Sequence, residues 1–274
     1  MDASSRKTVL ITGTSSGIGR ATAAHFAQRG WNVAATMRRP EATHPLASVP
    51  HTKLYALDVT SNDSIAAAID AVTADFGGVD CLVNNAGYGV DGVFEAMSDE
   101  VIAKQFETNV FGLMRTTRAV IPHLRRRGGG SIVQVASMGG RLTFPLFSIY
   151  HGTKWAVEGF SESLHYELRP FNIHVKLIEP GTIKTDFYGR SRVVVGGDRR
   201  DYESFVAKAE KVSQAPANTG APPELVAQAI ERAALHTGRR IRFPVGAPAP
   251  MLLGLRRLLP ESWFFAIVRA SYGI

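Results

Sequence analysis

The 274 residues are enough for one domain with a large core, and 45% hydrophobic and 20% charged residues are the ordinary balance of a globular protein. The formal net charge is +7, yet no aromatic-interleaved basic stripe or nucleic-acid motif goes with it, so the basic residues read as solvated surface that helps to attract an anionic ligand. Cys81 is the single cysteine, which excludes an intramolecular disulfide; at the head of Cys81-Leu82-Val83 it reads as a small buried hydrophobe.

In chain order, the first predicted element is a buried strand at 8–12, from the β-branched run Thr8-Val9-Leu10-Ile11. A glycine-rich turn, Thr12-Gly13-Thr14-Ser15-Ser16-Gly17-Ile18-Gly19, leads into a helix predicted at 18–29 with Ala21, Ala24 and Phe26 among its apolar positions. Strand, glycine turn and helix together are the context a dinucleotide fingerprint requires. The glycines allow a tight turn and close approach to a pyrophosphate at the helix N-terminus, where free N–H groups and the dipole favour anions.

Further strands are predicted at 32–36, 53–56, 81–84, 131–135, 174–178 and near 241–243, and helices at 62–76, 99–126, 148–169 and 224–236. Ser61 or Asn62, and Ser98, are the expected N-caps. Arg125-Arg126-Arg127 followed by Gly128-Gly129-Gly130 closes the helix before the fifth strand. Alternating strands and helices predict a single α/β domain over 1–274, a parallel sheet of about seven strands with helices on both faces.

The segment at about 187–222 is the least regular, with Gly196-Gly197, Pro216, Pro222 and Pro223, and is expected to be a substrate lid or partly disordered. An extension from about 244 to 274 is apolar but broken by Arg256, Arg257, Pro260 and Glu261. It is too interrupted to span a bilayer, and packing against the core or the substrate mouth is favoured over a membrane-surface helix. The N-terminus enters the first strand without a signal-peptide pattern, so a cytoplasmic location with no membrane span is expected.

Tyr150 and Lys154 stand four residues apart in Tyr-His-Gly-Thr-Lys, which puts both on one face of the helix at 148–169. A cation beside a phenol favours phenolate and lowers its pKa from a reference of about 10, suiting it to exchange a proton with a substrate oxygen. Such a pair also arises by chance as a surface tyrosine beside a solvated lysine, so its meaning depends on its company.

That company is specific. Thr-Gly-x-x-x-Gly-Ile-Gly at 12–19, Asn84-Asn85-Ala86-Gly87, Asn109, Ser137 and Tyr150-x-x-x-Lys154 occur in order. Together they resemble the short-chain dehydrogenase/reductase family. The stretch Gly89 to Phe94 and the residues around Tyr150 look most like its branch of 17β-hydroxysteroid and retinol dehydrogenase-like enzymes.

The resemblance implies a Rossmann-type doubly wound sheet and hydride transfer between a nicotinamide cofactor and a substrate carbon. It assigns Tyr150 as general acid/base and Ser137 as a donor to the substrate oxygen. Lys154 would bind the nicotinamide ribose and tune Tyr150, and Asn109 would hold a water that links Lys154 to solvent. Gly13, Ser15, Ser16, Gly17, Ile18 and Gly19 would cradle the pyrophosphate. Asp58, with Val59 beside it, would meet the adenine, and Asn85, Ala86 and Gly87 the nicotinamide ribose. Pro180, Gly181, Thr182 and Thr185 would lie at the carboxamide and the start of the lid. Family dimers and tetramers imply a homodimer or homotetramer through the helices at 99–126 and 148–169. Ser137 as a turn cap, Asn109 as an ordinary helix residue and Asp58 as a helix-preceding turn residue are the alternatives. His151 should point elsewhere on its helix and is set aside.

Cofactor choice is read from the end of the second strand, where an acidic residue would accept the ribose hydroxyls of NAD(H). Here Val33-Ala34-Ala35-Thr36 runs into Met37-Arg38-Arg39: no carboxylate repels a 2′-phosphate and two guanidiniums can pair with one, which favours NADP(H) over NAD(H). Tyr88, Phe144, Phe147, Phe187 and Tyr188 suggest a lipophilic ketone or aldehyde and the corresponding alcohol, although such side chains also pack cores. The histidines show no metal-ligand spacing, and no catalytic metal is expected. A non-catalytic NADP(H)-binding sensor is the alternative function; Asn109, Ser137, Tyr150 and Lys154 together argue against it, since a sensor needs no such set.

Overall fold

The computed structural model describes residues 6–185, 192–195, 200–214 and 220–274. The strands are β1 Thr8–Thr12, β2 Asn32–Met37, β3 Thr52–Ala56, β4 Cys81–Asn84, β5 Gly89–Gly92, β6 Gly130–Val135, β7 Ile173–Pro180, β8 Arg192–Val195 and β9 Arg242–Val245. The helices are α1 Gly17–Gln28, α2 Asn62–Phe76, α3 Asp99–Phe106, α4 Leu113–Arg126, α5 Ser148–Leu168, α6 Glu203–Gln214, α7 Pro223–Ala234, α8 Ala249–Leu258 and α9 Glu261–Tyr272.

Seven strands form one parallel sheet in the order β3-β2-β1-β4-β6-β7-β9. Because strand side chains alternate, each strand feeds two cores. Val9, Ile11, Val33, Ala35, Val83 and Val133 face one side with Phe26 of α1 and Ile230 of α7. Leu10, Ala34, Leu82, Ile132 and Val175 face the other with Ile69 of α2, Leu124 of α4 and Leu164 of α5. Near-continuous burial of β1, β2, β4 and β7 explains why these strands read as apolar runs rather than alternating ones. Cys81 is fully buried, and burial pushes its thiol up to about 12, which leaves it an inert hydrophobe. Ser61, not Asn62, caps α2 by accepting from Ser64 N, and Ser98 caps α3.

Strand order reverses between β1 and β4, so the loops after their C-terminal ends diverge and leave a crevice there. Gly13 and Asn85 follow β1 and β4 directly and Ser137 stands two residues past β6, so all three lie at that end of the sheet.

Three features depart from the sequence expectation. The predicted helix at 99–126 is interrupted by a π-turn at Glu107–Gly112, a wider coil that re-aims the residues within it. Gly89–Gly92 and Arg192–Val195 form a second, two-stranded parallel sheet. The described part of the segment at 187–222 is also regular: besides β8 it holds α6, Tyr202 Oη donates to Glu95 at 3.0 Å, and Ala221 pairs with the strand-like backbone at Ile183. Beyond β9, Leu253 of α8 and Phe264 of α9 pack on Leu142, just past the Ser137 turn. Among the described residues, no helix is long and apolar enough to cross a membrane.

Candidate active site

At the crevice, the loops after β1 and β4 are knitted together. Thr12 Oγ1 accepts from the backbone N–H of Asn85 and of Ala86, both at 3.0 Å. Asn85 Nδ2 donates to the carbonyls of Thr12 and Gly13, each at 3.0 Å. Gly19 is required by this closeness: a Cβ there would lie 2.2 Å from Gly13 O and 2.5 Å from Asn85 Nδ2. The Ser16 side chain makes no capping bond at the N-terminus of α1, and no acid stands in the first turn. The helix therefore turns its first N–H groups and positive dipole end toward the glycine turn, as an anionic phosphate requires. Ile18 packs into the core below, and Thr185 lies beside Gly17, 3.4 Å from where a Cβ on that glycine would stand.

The glycine turn also reaches β2, since Thr14 N and Thr14 Oγ1 both donate to Thr36 O, at 3.0 and 3.1 Å. The residues leaving β2 are thereby held beside the turn: Met37 is buried, while Arg38 and Arg39 are exposed. Asp58 Oδ1 accepts from Thr60 N at 2.9 Å and Thr60 Oγ1 at 2.8 Å. Partial burial opposes its ionisation, but these bonds and the nearby Arg38 charge hold its carboxyl below the usual range. Asp58 thus orders the turn before α2, and Val59 is buried among the core residues next to it. Beyond β7, Gly181 N donates to Val245 O and Thr182 N to Ala247 O, which fixes the Pro180-Gly181-Thr182 corner against β9.

The chemistry-bearing residues lie at the same end. α5 places Tyr150 and Lys154 on one face, with Lys154 Nζ 5.8 Å from the Tyr150 ring centroid. Lys154 is buried and donates to Val135 O at 2.9 Å, which anchors its ammonium at the end of β6. Burial lowers its pKa to about 8, with the charge of Glu158 opposing the shift.

Ser137 Oγ accepts from Gly139 N at 3.0 Å, so it caps the short turn after β6 and keeps its own proton to donate. Asn109 sits in the π-turn and clasps the backbone of Tyr88. Its Nδ2 donates to Tyr88 O at 2.8 Å and its Oδ1 accepts from Tyr88 N at 3.1 Å. Asn109 Nδ2 also reaches Thr153 Oγ1 at 3.2 Å, and that hydroxyl donates to Tyr150 O at 2.7 Å.

The aromatic candidates divide between two places. Phe147 lies 6.3 Å from Tyr150, centroid to centroid, and Tyr88 packs with Val90, Met97 and Ile149. Phe144 points away, stacking at 6.4 Å on Tyr272 of α9. It helps to line a cavity of about 620 Å³ with Leu146, His151, Trp155, Phe264 and Phe265. His151 is buried there and pushed down to about 4 by burial, so it is neutral; Nδ1 accepts from Phe144 N. Phe187 and Tyr188 lie outside the described residues. Among the described residues, no group of His, Cys, Asp and Glu is placed to hold a metal ion.

The profile of the short chain dehydrogenase family matches residues 7–193. The chain belongs to this family. Its place in the retinol dehydrogenase-like branch is supported by human retinol dehydrogenase 8, 40% identical over 197 residues, 69% of this chain and 62% of that protein. A 3-ketodihydrosphingosine reductase of Bacteroides thetaiotaomicron is 31% identical over 97% of this chain and 98% of its own.

Among solved structures, a short-chain dehydrogenase from Streptomyces avermitilis superposes with a TM-score of 0.82 at 34% identity, covering 97% of this chain and 98% of its own. ElxO, solved with NADP bound, gives 0.74 at 26% identity, with 88% and 97% covered. A 3-ketoacyl-(acyl-carrier-protein) reductase from Brucella melitensis, complexed with NADH, gives 0.73 at 25% identity, with 89% and 98% covered.

In this short-chain dehydrogenase, the sequence reading placed Thr12 at the head of the glycine motif but gave it no role of its own, and its hydroxyl holds the Asn85 loop. A threonine at the end of a strand, directly before the first glycine, was the available signal. Thr153 was passed over as well, as was the charged group behind Lys154 formed by Glu158, Glu179, Arg141 and Arg242. Those partners come from distant segments, and no local pattern announces them.

Proposed function

We propose that the chain is an NADP(H)-dependent oxidoreductase that interconverts a lipophilic ketone or aldehyde and its alcohol. The observation that carries this reading is the buried Lys154 ammonium held beside Tyr150 on one face of α5. A cation at that place favours the phenolate that Tyr150 becomes as it gives a proton to the substrate oxygen. Ser137 donates a second hydrogen bond to the same oxygen, as developing negative charge requires. Asn109 fixes Tyr88 and reaches Thr153 next to Lys154, so the π-turn ties the loop after β4 to α5. The glycine turn, the N-terminus of α1 and Asn85 fit a dinucleotide, and its nicotinamide supplies or accepts the hydride when bound.

The solved relatives include both an NADP and an NADH complex, so the cofactor choice here rests on this chain's own residues. Exposed Arg38 and Arg39 beside the glycine turn suit a 2′-phosphate. Phe147 and Tyr88 give the substrate side an apolar character, in keeping with relatives named for retinol and 3-ketodihydrosphingosine. In this reading the segment around 187–222 covers the substrate, anchored through β8 on β5.

Consumption of NADPH against ketones and aldehydes of increasing chain length, repeated with NADH, tests the proposal. Turnover is expected to rise with substrate hydrophobicity and to favour NADPH. Tight NADPH binding with no turnover of any carbonyl would instead point to a sensor. Phe111, Trp155 and Tyr166 remain about half exposed or more, at 48%, 47% and 71%, on the π-turn and α5. We assign this face to a homo-oligomer. Light scattering should give a dimer or tetramer mass, and a monomer mass at every concentration would refute the assignment.

A further inference from the structure

Behind Lys154 lies a buried charged group that the mechanism above leaves without a role. α5 continues the face of Tyr150 and Lys154 with Glu158, one turn further on and 4% exposed. Glu158 Oε2 accepts from Arg242 Nε of β9 at 2.9 Å, and Arg242 Nη2 donates to Glu162 at 3.0 Å. Glu179 of β7, fully buried, accepts from Arg141 at 3.4 Å and lies 3.9 Å from Arg242 Nε. Among the described residues, Glu158 Oε1 and Glu179 Oε2 are buried and accept no hydrogen bond. The turn after Ser137 is pressed onto this group: a Cβ on Gly140 would lie 2.9 Å from Glu158 Cγ and 3.0 Å from Lys154 O.

Resting on the oxidoreductase reading, we infer that Glu158, held by Arg242, is a positioning residue that keeps Lys154 in its ammonium form and so sets the alkaline limit of proton transfer at Tyr150. Salt bridges on the surface contribute little, but charges removed from water feel one another strongly. Among the described residues the Lys154 ammonium makes one hydrogen bond, to Val135 O, and is otherwise desolvated, which favours its neutral form. Glu158 feels Arg141 after the Ser137 turn, Glu179 on β7 and Arg242 on β9, and its own charge acts on Lys154 one turn back on α5; Glu162 joins the group through Arg242, and Arg240 acts on Glu179. Its carboxyl is raised to about 7 by burial and by the Glu179 charge, against the pull of Arg242 and Arg141.

The sign follows from these directions. Above about pH 7 Glu158 is anionic, and Lys154 keeps its proton up to about pH 8. In Glu158→Gln the ammonium keeps its burial but loses the anion beside it, while Arg141 and Arg242 remain opposed by Glu179 and Glu162. Lys154 then deprotonates at lower pH.

The test is a titration of the cofactor-free chain by NMR with ¹³Cε-labelled lysine, the Lys154 signal being identified by its loss in Lys154→Arg. The wild-type midpoint is expected near 8, and Glu158→Gln should lower it by roughly half a unit or more. Lys176, buried on β7 and donating to the carbonyls of Gly238 and Arg240, is the internal reference and should not move. Turnover should follow: near pH 8.5 the variant loses about threefold or more relative to wild type, while near pH 6.5 it stays within about twofold. Glu158→Asp, which keeps the charge, should restore most of the alkaline limb.

Coupling is reciprocal, so Lys154→Met should raise the Glu158 midpoint read from its ¹³Cδ signal. This second variant decides the matter if Glu158→Gln does not fold. An unmoved Lys154 midpoint in Glu158→Gln, or an unmoved Glu158 midpoint in Lys154→Met, overturns the inference and leaves the functional reading standing. A chain that turns over no carbonyl overturns the functional reading and the kinetic limit with it, while the NMR shift separately decides the coupling.

Discussion

Tyr150→Phe is expected to abolish carbonyl reduction while leaving NADPH affinity within a few-fold of wild type. The substitution removes one oxygen and its proton and keeps the ring, so the contact with Phe147 survives. Lys154 keeps its bond to Val135 O, and nothing in the knitted loops around Gly13, Gly19 and Asn85 changes. The loss should therefore fall on the proton-transfer step, which positioned acids accelerate by about 10²–10⁴-fold. Steady-state turnover set against fluorescence titration of NADPH separates the two quantities. Near-normal turnover in the Phe variant would remove Tyr150 from the chemistry. Loss of both turnover and binding would mean that the phenol serves the cofactor site instead.

Arg38→Ala is expected to weaken NADPH by about one to two orders of magnitude and NADH far less. A charge-assisted hydrogen bond is worth about 1.5–3 kcal/mol, and only NADPH carries the phosphate that receives it. Arg38 is exposed, so its truncation leaves no cavity and no buried orphan. Arg39 stands next to it and shares the load, so the single variant should fall at the low end of that range and Arg38→Ala/Arg39→Ala beyond it. Met37 is a poorer target than its position suggests: at 4% exposure, a carboxylate there would be placed in the core. Equal losses for both cofactors would mean that Arg38 does not read the phosphate, and the preference for NADP(H) would lose its support.

How much of this was legible in the sequence depends on the range of each signal. The path β1, glycine turn, α1 is local and was read nearly to the residue, as was the alternation that gives the parallel sheet. Tyr150 and Lys154 were paired by helix periodicity alone, and α5 places them as that spacing requires. The π-turn was not legible. Residues 99–126 have continuous helical spacing, and the wider coil at Glu107–Gly112 is chosen by tertiary contacts, Asn109 clasping Tyr88 foremost. β5 was missed because Gly-Val-Asp-Gly carries no strand pattern, and its partner β8 lies in a segment read as irregular. The Glu158 group was missed for a related reason. Arg141, Glu158, Glu179 and Arg242 are unremarkable singly, and only folding brings α5, β7, β9 and the turn after Ser137 together around two buried carboxylates. Ser137 shows both readings at once, because its oxygen caps the turn as the alternative supposed while its proton stays available for a substrate.

The most direct test of the central claim is transfer of deuterium. Wild-type protein is incubated with NADPH deuterated at nicotinamide C4, on the face it uses, and with a lipophilic ketone, and the product is examined by mass spectrometry. The account expects an alcohol with one deuterium on the carbinol carbon, formed by the wild type and not by Tyr150→Phe. Bound NADPH with no deuterated alcohol from any ketone or aldehyde offered would contradict it.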